Sequence, residues 1–226
     1  MTSSKIRFAA IAFAVVLSSG TVKLGAQTIA PPPTGAHEII ENMTARNHTP
    51  QSFQAQVQIS GHMVSFPFFG AKFDGTCLFK RPNAYQVVFG RSTRYTDAVK
   101  RLLVEIASPW QWEANRNITI DPESLTLDGQ AAIRLRLTAK SADDKLDYAV
   151  ATVNRATYDL ERMEWHYQDG SSVLVTQTYN TVGQYHVVAS QHADVHFPGV
   201  HAVVDAQYTN YETNVALDDR SFAKDK

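Results

Sequence analysis

A chain of 226 residues with 44% apolar side chains can bury a sizeable core in one domain. Its 21 basic residues against 22 acidic ones leave no surplus of cations to track a phosphate backbone, which excludes a nucleic-acid binder. The single cysteine, Cys77, excludes a disulfide framework within the chain, so stability must come from packing.

The N-terminus, "MTSSKIRFAAIAFAVVLSSGTVKLGAQ", begins with Lys5 and Arg7, runs apolar from Phe8 to Leu17, and turns small and polar up to Ala26. That is the three-part layout of a secretory signal over residues 1–26. The apolar run is about ten residues, half of what a helix needs to span a bilayer. Gln27 stands where a bacterial lipidation site requires a cysteine, so cleavage after Ala26 predicts a soluble, unacylated product. Losing Lys5, Arg7 and Lys23 leaves 18 basic against 22 acidic residues, a net charge of −4.

Residues 27–33 form a Pro-rich linker, a stiff extended spacer. A single domain is predicted over 34–226. Thr34 is placed to cap a helix through about His48, with Ala36, Ile39, Ile40 and Met43 on one stripe, and Pro50 closes it. From Ser52 the period changes to two: Phe53, Ala55, Val57 and Ile59 alternate with Gln54, Gln56, Gln58 and Ser60. One face of that strand is wet.

The stretch "CLFKRPNAYQVVFG" at 77–90 holds two alternating apolar runs around Lys80, Arg81, Pro82 and Asn83. Pro82 and Asn83 suit a tight turn between strands. The two adjacent cations are not required by it. Cys77 shares the apolar parity of Phe79, which predicts a buried, inert thiol. Next, "YTDAVKRLLVEIASPW" sets Val99, Leu102, Leu103 and Ile106 at i, i+3, i+4 and i+7, a helix stopped by Pro109. A lone helix inside an antiparallel sheet must bury that stripe, and the concave side of a curved sheet offers the place.

The second half repeats the strand pattern: Ile133, Leu135 and Leu137; then Leu146, Tyr148 and Val150; then Met163, Trp165 and Tyr167; then Val173, Val175 and Tyr179. Breaks fall at "KSADDK", "VNRATYD" and "QDGS", and Asp169-Gly170 is a hairpin signal. With two more strands in the tail, about nine or ten are expected in an antiparallel meander.

No Gly-x-Ser-x-Gly elbow, phosphate-cradling glycine loop or His-Glu-x-x-His helix occurs, and no nucleophile is brought together with a base, so no catalytic residue and no cofactor is predicted. In "HADVH", His192, Asp194 and His196 share one face of a strand, with His201 just past Pro198-Gly199, a spacing that suits Zn²⁺. A row of three polar residues is more often simply the wet face of an amphipathic strand, and the expected sites include no metal.

A signal, an amphipathic first helix, a Gln-rich alternating strand and then "GTCLFKRPNAYQVVF" resemble the start of the periplasmic lipoprotein carrier LolA and its relatives, the outer-membrane lipoprotein-sorting superfamily. The stretch "LRLTAKSADDKLDYAVATVNRATYDLERMEWHYQDGSSVLVTQTY" is similar to a later part of that family, and the likeness spans about 34–222. It implies an α+β fold, an unclosed antiparallel β-barrel with an N-terminal and an inserted helix covering its concave face. It implies a soluble periplasmic carrier or chaperone that binds acyl chains of lipoproteins or lipids in an apolar cavity for envelope transport. The resemblance makes Phe53, Val57, Phe79, Tyr85, Val87, Leu135, Tyr148, Trp165, Tyr167 and Val175 the cavity candidates, and Val99, Leu102, Leu103 and Ile106 the lid. By position, Arg81 is the latch that bridges lid carbonyls. The implied partners are lipidated protein or lipid cargo, an inner-membrane donor and an outer-membrane acceptor, with the protein itself a monomer. The sequence departs from the family over 90–112, where a hairpin is replaced by "GRSTRYTDAVKRLLVEIASPWQW", so the mouth is built differently. The alternative is a non-transport envelope sensor or scaffold of the same fold with a packed interior.

Overall fold

The computed structural model describes residues 35–222, apart from 47, 67, 92, 122–124, 128, 129, 142 and 143. The signal, the linker and the expected cap Thr34 lie outside the described residues. Helix α1 (Ala36–Ala45) buries Ile39, Ile40 and Met43, the stripe its spacing predicts, and Gly35 stands at its N-cap. The helix stops short of His48. The Arg46 carbonyl instead accepts from Thr49 N and from the Arg81 guanidinium, so the chain turns away before Pro50.

Strands β1 (Ser52–Met63), β2 (Gly70–Lys80) and β3 (Ala84–Phe89) form a meander with the expected turn at 81–83. Gly75 is required there: a Cβ would stand 2.7 Å from the Phe89 ring and 2.9 Å from the Val88 carbonyl. Helix α2 (Arg94–Ala107) starts at Thr93, whose hydroxyl accepts from Thr96 N while the Thr96 hydroxyl accepts from Thr93 N, a reciprocal cap. A short turn of helix, α3 (Trp112–Asn115), leads into β4 (Arg116–Ile120) and β5 (Leu125–Leu127). The chain then runs through β6 (Gln130–Ala139), β7 (Leu146–Asn154), β8 (Leu160–Tyr167), β9 (Ser172–Val182), β10 (Tyr185–Phe197) and β11 (Val200–Thr213).

These eleven strands, against the nine or ten expected, make one antiparallel sheet in the order β3-β2-β1-β11-β10-β9-β8-β7-β6-β4, with β5 paired to β6. Among the described residues β3 and β4 remain edges, so the barrel is not closed. The concave face carries two apolar clusters. One joins α1, Ile106 and Trp112 to the inward residues of β6 to β9. The other joins Leu103 to Val57, Ile59, Cys77, Val87, Ala206 and Tyr208. Helix α2 touches both and so lies between them, as its stripe requires. Strand β7 departs from simple alternation. A register shift between Leu146 and Tyr148 leaves Leu146 and Ala149 both buried and turns Tyr148 to the outer face, where it stacks on His166 at 4.4 Å beneath the Arg136 guanidinium.

Candidate functional site

Among the described residues, two hollows with mainly apolar walls border α2, beside a wider cleft of about 930 Å³ that is lined largely by polar side chains such as Gln86, Lys100, Arg101, Asn115 and Arg116. The larger hollow, of about 340 Å³, lies between α2 and strands β8 to β11. Val99, Leu102, Leu103 and Ile106, the four expected lid residues, all line it, facing Tyr167, Val173, Val175, Ala193, Val195 and Phe197. The smaller, of about 90 Å³, lies toward the turn at 81–83 and is lined by Phe53, Phe79, Tyr85, Tyr179, Tyr208 and Tyr211 among others. Phe53 stacks on Phe79 at 5.2 Å and meets Tyr211 edge-on. Hydroxyls in this hollow are satisfied by the protein: Tyr179 donates to the Leu160 carbonyl, Tyr208 to Gln191 Oε1 and Tyr211 to the Val188 carbonyl. Burial holds these phenols neutral by pushing their pKa values up.

The ten cavity candidates therefore divide. Tyr167 and Val175 line the larger hollow; Phe53, Phe79 and Tyr85 line the smaller. Val57, Val87 and Leu135 are fully buried core residues. Trp165 is also core, and its Nε1 donates to Glu105 Oε1 at 3.2 Å, while Trp112 Nε1 donates to the Glu105 carbonyl, so two indoles moor the C-terminal half of α2. Tyr148 belongs to neither hollow, because the β7 register shift carries it outward. Cys77 is buried beneath α2, and burial pushes its thiol up to about 12.

The two adjacent cations hold two different segments. Lys80 Nζ donates to the Leu217 carbonyl at 3.1 Å and to Asp219 at 2.5 Å, tying down the C-terminal tail. Arg81 donates to the carbonyls of Arg46, Thr49 (3.2 Å) and Pro50 (3.4 Å), and its backbone N–H to Gln51 O at 2.8 Å. Its carbonyls thus belong to the connection from α1 to β1, not to α2. A guanidinium suits the task because its donors are fixed in one plane.

The same connection is gripped from its other side, which the sequence reading missed. Asp159, 2% exposed in the turn after β7, ion-pairs with Arg46, accepts from His186 Nδ1 at 2.6 Å and lies 3.5 Å from His48 Nε2. His186 N donates to the His48 carbonyl at 2.7 Å. Burial lowers the pKa of His48. These four residues are scattered over the chain, at 46, 48, 159 and 186, and no spacing in the sequence brings them together.

At the opposite end of the sheet the surface is apolar. Phe66 (52% exposed), Phe68 (98%) and Phe69 (65%) stand on the β1–β2 connection, near the β10–β11 hairpin with its exposed Phe197. Val64 N donates to the His201 carbonyl and His201 N to Ser65 Oγ, which ties that connection to the hairpin. On the outer face the residues of "HADVH" part: His192 pairs with Asp205 at 2.7 Å, while Asp194 meets His196 at 3.0 Å and His201 at 2.7 Å.

No family model matches the sequence, and no curated protein matches it either. The fold has clear counterparts among solved structures. A LolA superfamily protein from Nitrosomonas europaea superposes with a TM-score of 0.63 at 14% identity, over 85% of this chain and 99% of that one. A domain assigned to outer membrane lipoprotein sorting from Vibrio parahaemolyticus gives 0.60 at 11%, over 82% and 94%. A DUF1329 family protein from Desulfovibrio piger gives 0.61 at 11%, over 83% and 95%. At these identities the likeness establishes the unclosed half-barrel fold. No helix among the described residues is long and apolar enough to cross a membrane.

Proposed function

We propose that the protein is a periplasmic carrier that holds acyl chains of lipoproteins or lipids on the concave face of its half-barrel, moving them from an inner-membrane donor to an outer-membrane acceptor. The observation that carries this reading is the hollow of about 340 Å³ lined by the whole apolar stripe of α2. Its size falls at the low end of ligand pockets, about 300–1,000 Å³, and each methylene moved into it from water contributes about 0.8 kcal/mol. Part of one chain is then enough for useful affinity. Lipoprotein sorting by a structure of the same fold supports the choice of cargo. Residues 1–26 act as the export signal, and the task needs no catalytic residue.

Arg81 supplies the other half of a carrier, a closed empty state. Its bonds to the α1–β1 connection hold that segment over the smaller hollow, where Arg46 and Thr49 are part of the wall. Opening this end would join the smaller hollow to the larger and lengthen the space for a chain. The exposed phenylalanines at the opposite end continue the apolar surface past Phe197, which itself lines the larger hollow.

The test is binding of a fluorescent fatty acid, with mass spectrometry of lipid that co-purifies under gentle conditions. Val195→Trp, which fills the larger hollow from the sheet side, is expected to lower affinity at least about tenfold while costing no more than the roughly 1–3 kcal/mol of a small-to-large change. Absence of both ligand binding and co-purified lipid would replace the carrier with the packed-interior sensor or scaffold.

A further inference from the structure

We propose that Asp194, His196 and His201 form a binding site for one divalent transition-metal ion of the zinc class, on the outer face of the sheet and independent of the acyl hollow. The site is built by a tight hairpin. His196 of β10 is the register partner of His201 of β11, and Phe197 pairs with Val200, so only Pro198 and Gly199 make the turn. Gly199, at φ +74°, supplies the left-handed residue that a proline-led turn of this kind needs in its second central position. Asp194 lies two residues before His196 and so projects to the same face, opposite to Ala193 and Val195, which face the concave side.

The three ligand atoms all lie within 4.8 Å of one another. Both imidazole Nε2 atoms converge on Asp194 Oδ1, at 3.0 Å from His196 and 2.7 Å from His201, and the two rings stack at 4.0 Å with their planes 20° apart. Tetrahedral zinc with bonds of about 2.0–2.1 Å sets its ligand atoms about 3.3 Å apart, and the two carboxylate–imidazole separations of 3.0 and 2.7 Å are close to that spacing. Two imidazoles and one carboxylate favour zinc over calcium or magnesium, which prefer sets of oxygens. The side chains are 33–52% exposed, leaving the remaining coordination positions to water.

Two other sets are poorer. His192, which the sequence spacing grouped with Asp194 and His196, is held by Asp205 on the adjoining strand. His48, Asp159 and His186 also converge, but the Arg46 guanidinium already sits on the Asp159 carboxylate and repels a cation. Cross-strand pairing, which sequence spacing does not show, replaces His192 with His201.

Untagged protein titrated with Zn²⁺ against a chromophoric chelator tests the site, with Co²⁺ as a coloured stand-in. One ion per chain is expected, with the absorption of tetrahedral Co²⁺. His201→Gln and Asp194→Asn should each weaken binding at least about tenfold and abolish that absorption, while His192→Gln stays within about twofold of wild type. These substitutions at partly exposed positions should shift metal-free stability by no more than about 1 kcal/mol, the scale of a surface ion pair, separating loss of ligands from loss of fold. Binding of less than one ion per chain, ligand variants within twofold of wild type, or an equal loss in His192→Gln would each overturn the assignment.

Discussion

The two ends of the half-barrel are built on opposite principles. At the end bearing the 81–83 turn, one short connection is held by Arg81 from one side and by Asp159 and His186 from the other, and the hollow beneath it is small. At the other end the hollow is nearly four times larger by volume, Phe197 on its wall is 46% exposed, and Phe66, Phe68 and Phe69 stand in solvent on the β1–β2 connection. A polar clamp specifies one geometry, because each donor must find its acceptor, whereas an apolar rim accepts any surface that excludes water. One end is made to be closed, and the other to be covered.

The sharpest way to break the comparison is Asp159→Ala. Removing one member of a buried ion pair leaves Arg46 without its carboxylate, and about 3–5 kcal/mol of stability should disappear in urea unfolding. At the open end, Phe68→Ser should leave the urea midpoint where it was, since Phe68 is 98% exposed. A cost below about 1 kcal/mol for Asp159→Ala would mean that the clamp contributes geometry without stability.

A pair of truncations then asks how loose the larger hollow is. Leu135 is wholly buried in the sheet, and Leu135→Ala should cost near the top of the roughly 2–5 kcal/mol range for such changes. Leu103 borders existing space, so Leu103→Ala should fall near the bottom of that range. Equal losses would show α2 packed as tightly as the sheet.

Arg81→Leu addresses function. Freed from the guanidinium, the connection should open more readily, and a bound fluorescent acyl ligand should leave about tenfold more slowly, a change of about 1.4 kcal/mol. Lys80→Leu is the control, because its ion pair with the 88% exposed Asp219 carboxylate contributes little. Equal off-rates in the two variants and wild type would reduce Arg81 to a structural turn residue. The smallest expected change is in Cys77. With its thiol pushed up to about 12 and buried under α2, alkylation near neutral pH should require opening of the helix, and Arg81→Leu should raise the labelling rate only if the clamped end governs that opening.

Periodicity made much of the fold legible. Val99, Leu102, Leu103 and Ile106 read as one helical stripe and line one hollow; Val57 and Ile59 read as one face of a strand and are buried on it. What the sequence hid depends on events between strands. The register shift in β7 reversed Tyr148 without any signal in its own alternation. Asp159 reads as one more polar turn residue until the fold delivers Arg46, His48 and His186 to it. For Arg81 the position was legible from the turn, while its partners, the carbonyls of residues 46, 49 and 50, lie in a backbone path that no pattern announces.

The strand order carries a consequence for how the molecule comes into being. The first strand, β1, is joined along its length to the last, β11, with Phe53 opposite Thr213, in the interior of the sheet rather than at its edge. A chain made from its N-terminus therefore finishes the β1–β3 meander long before the strand that unites it with the rest exists. Until then β1 presents an open hydrogen-bonding edge with Ala55, Val57 and Ile59 beside it, and closure must wait for a pairing of very high sequence separation, the kind that slows folding and invites association. The final fourteen-residue strand is the one that makes a single sheet of the two halves.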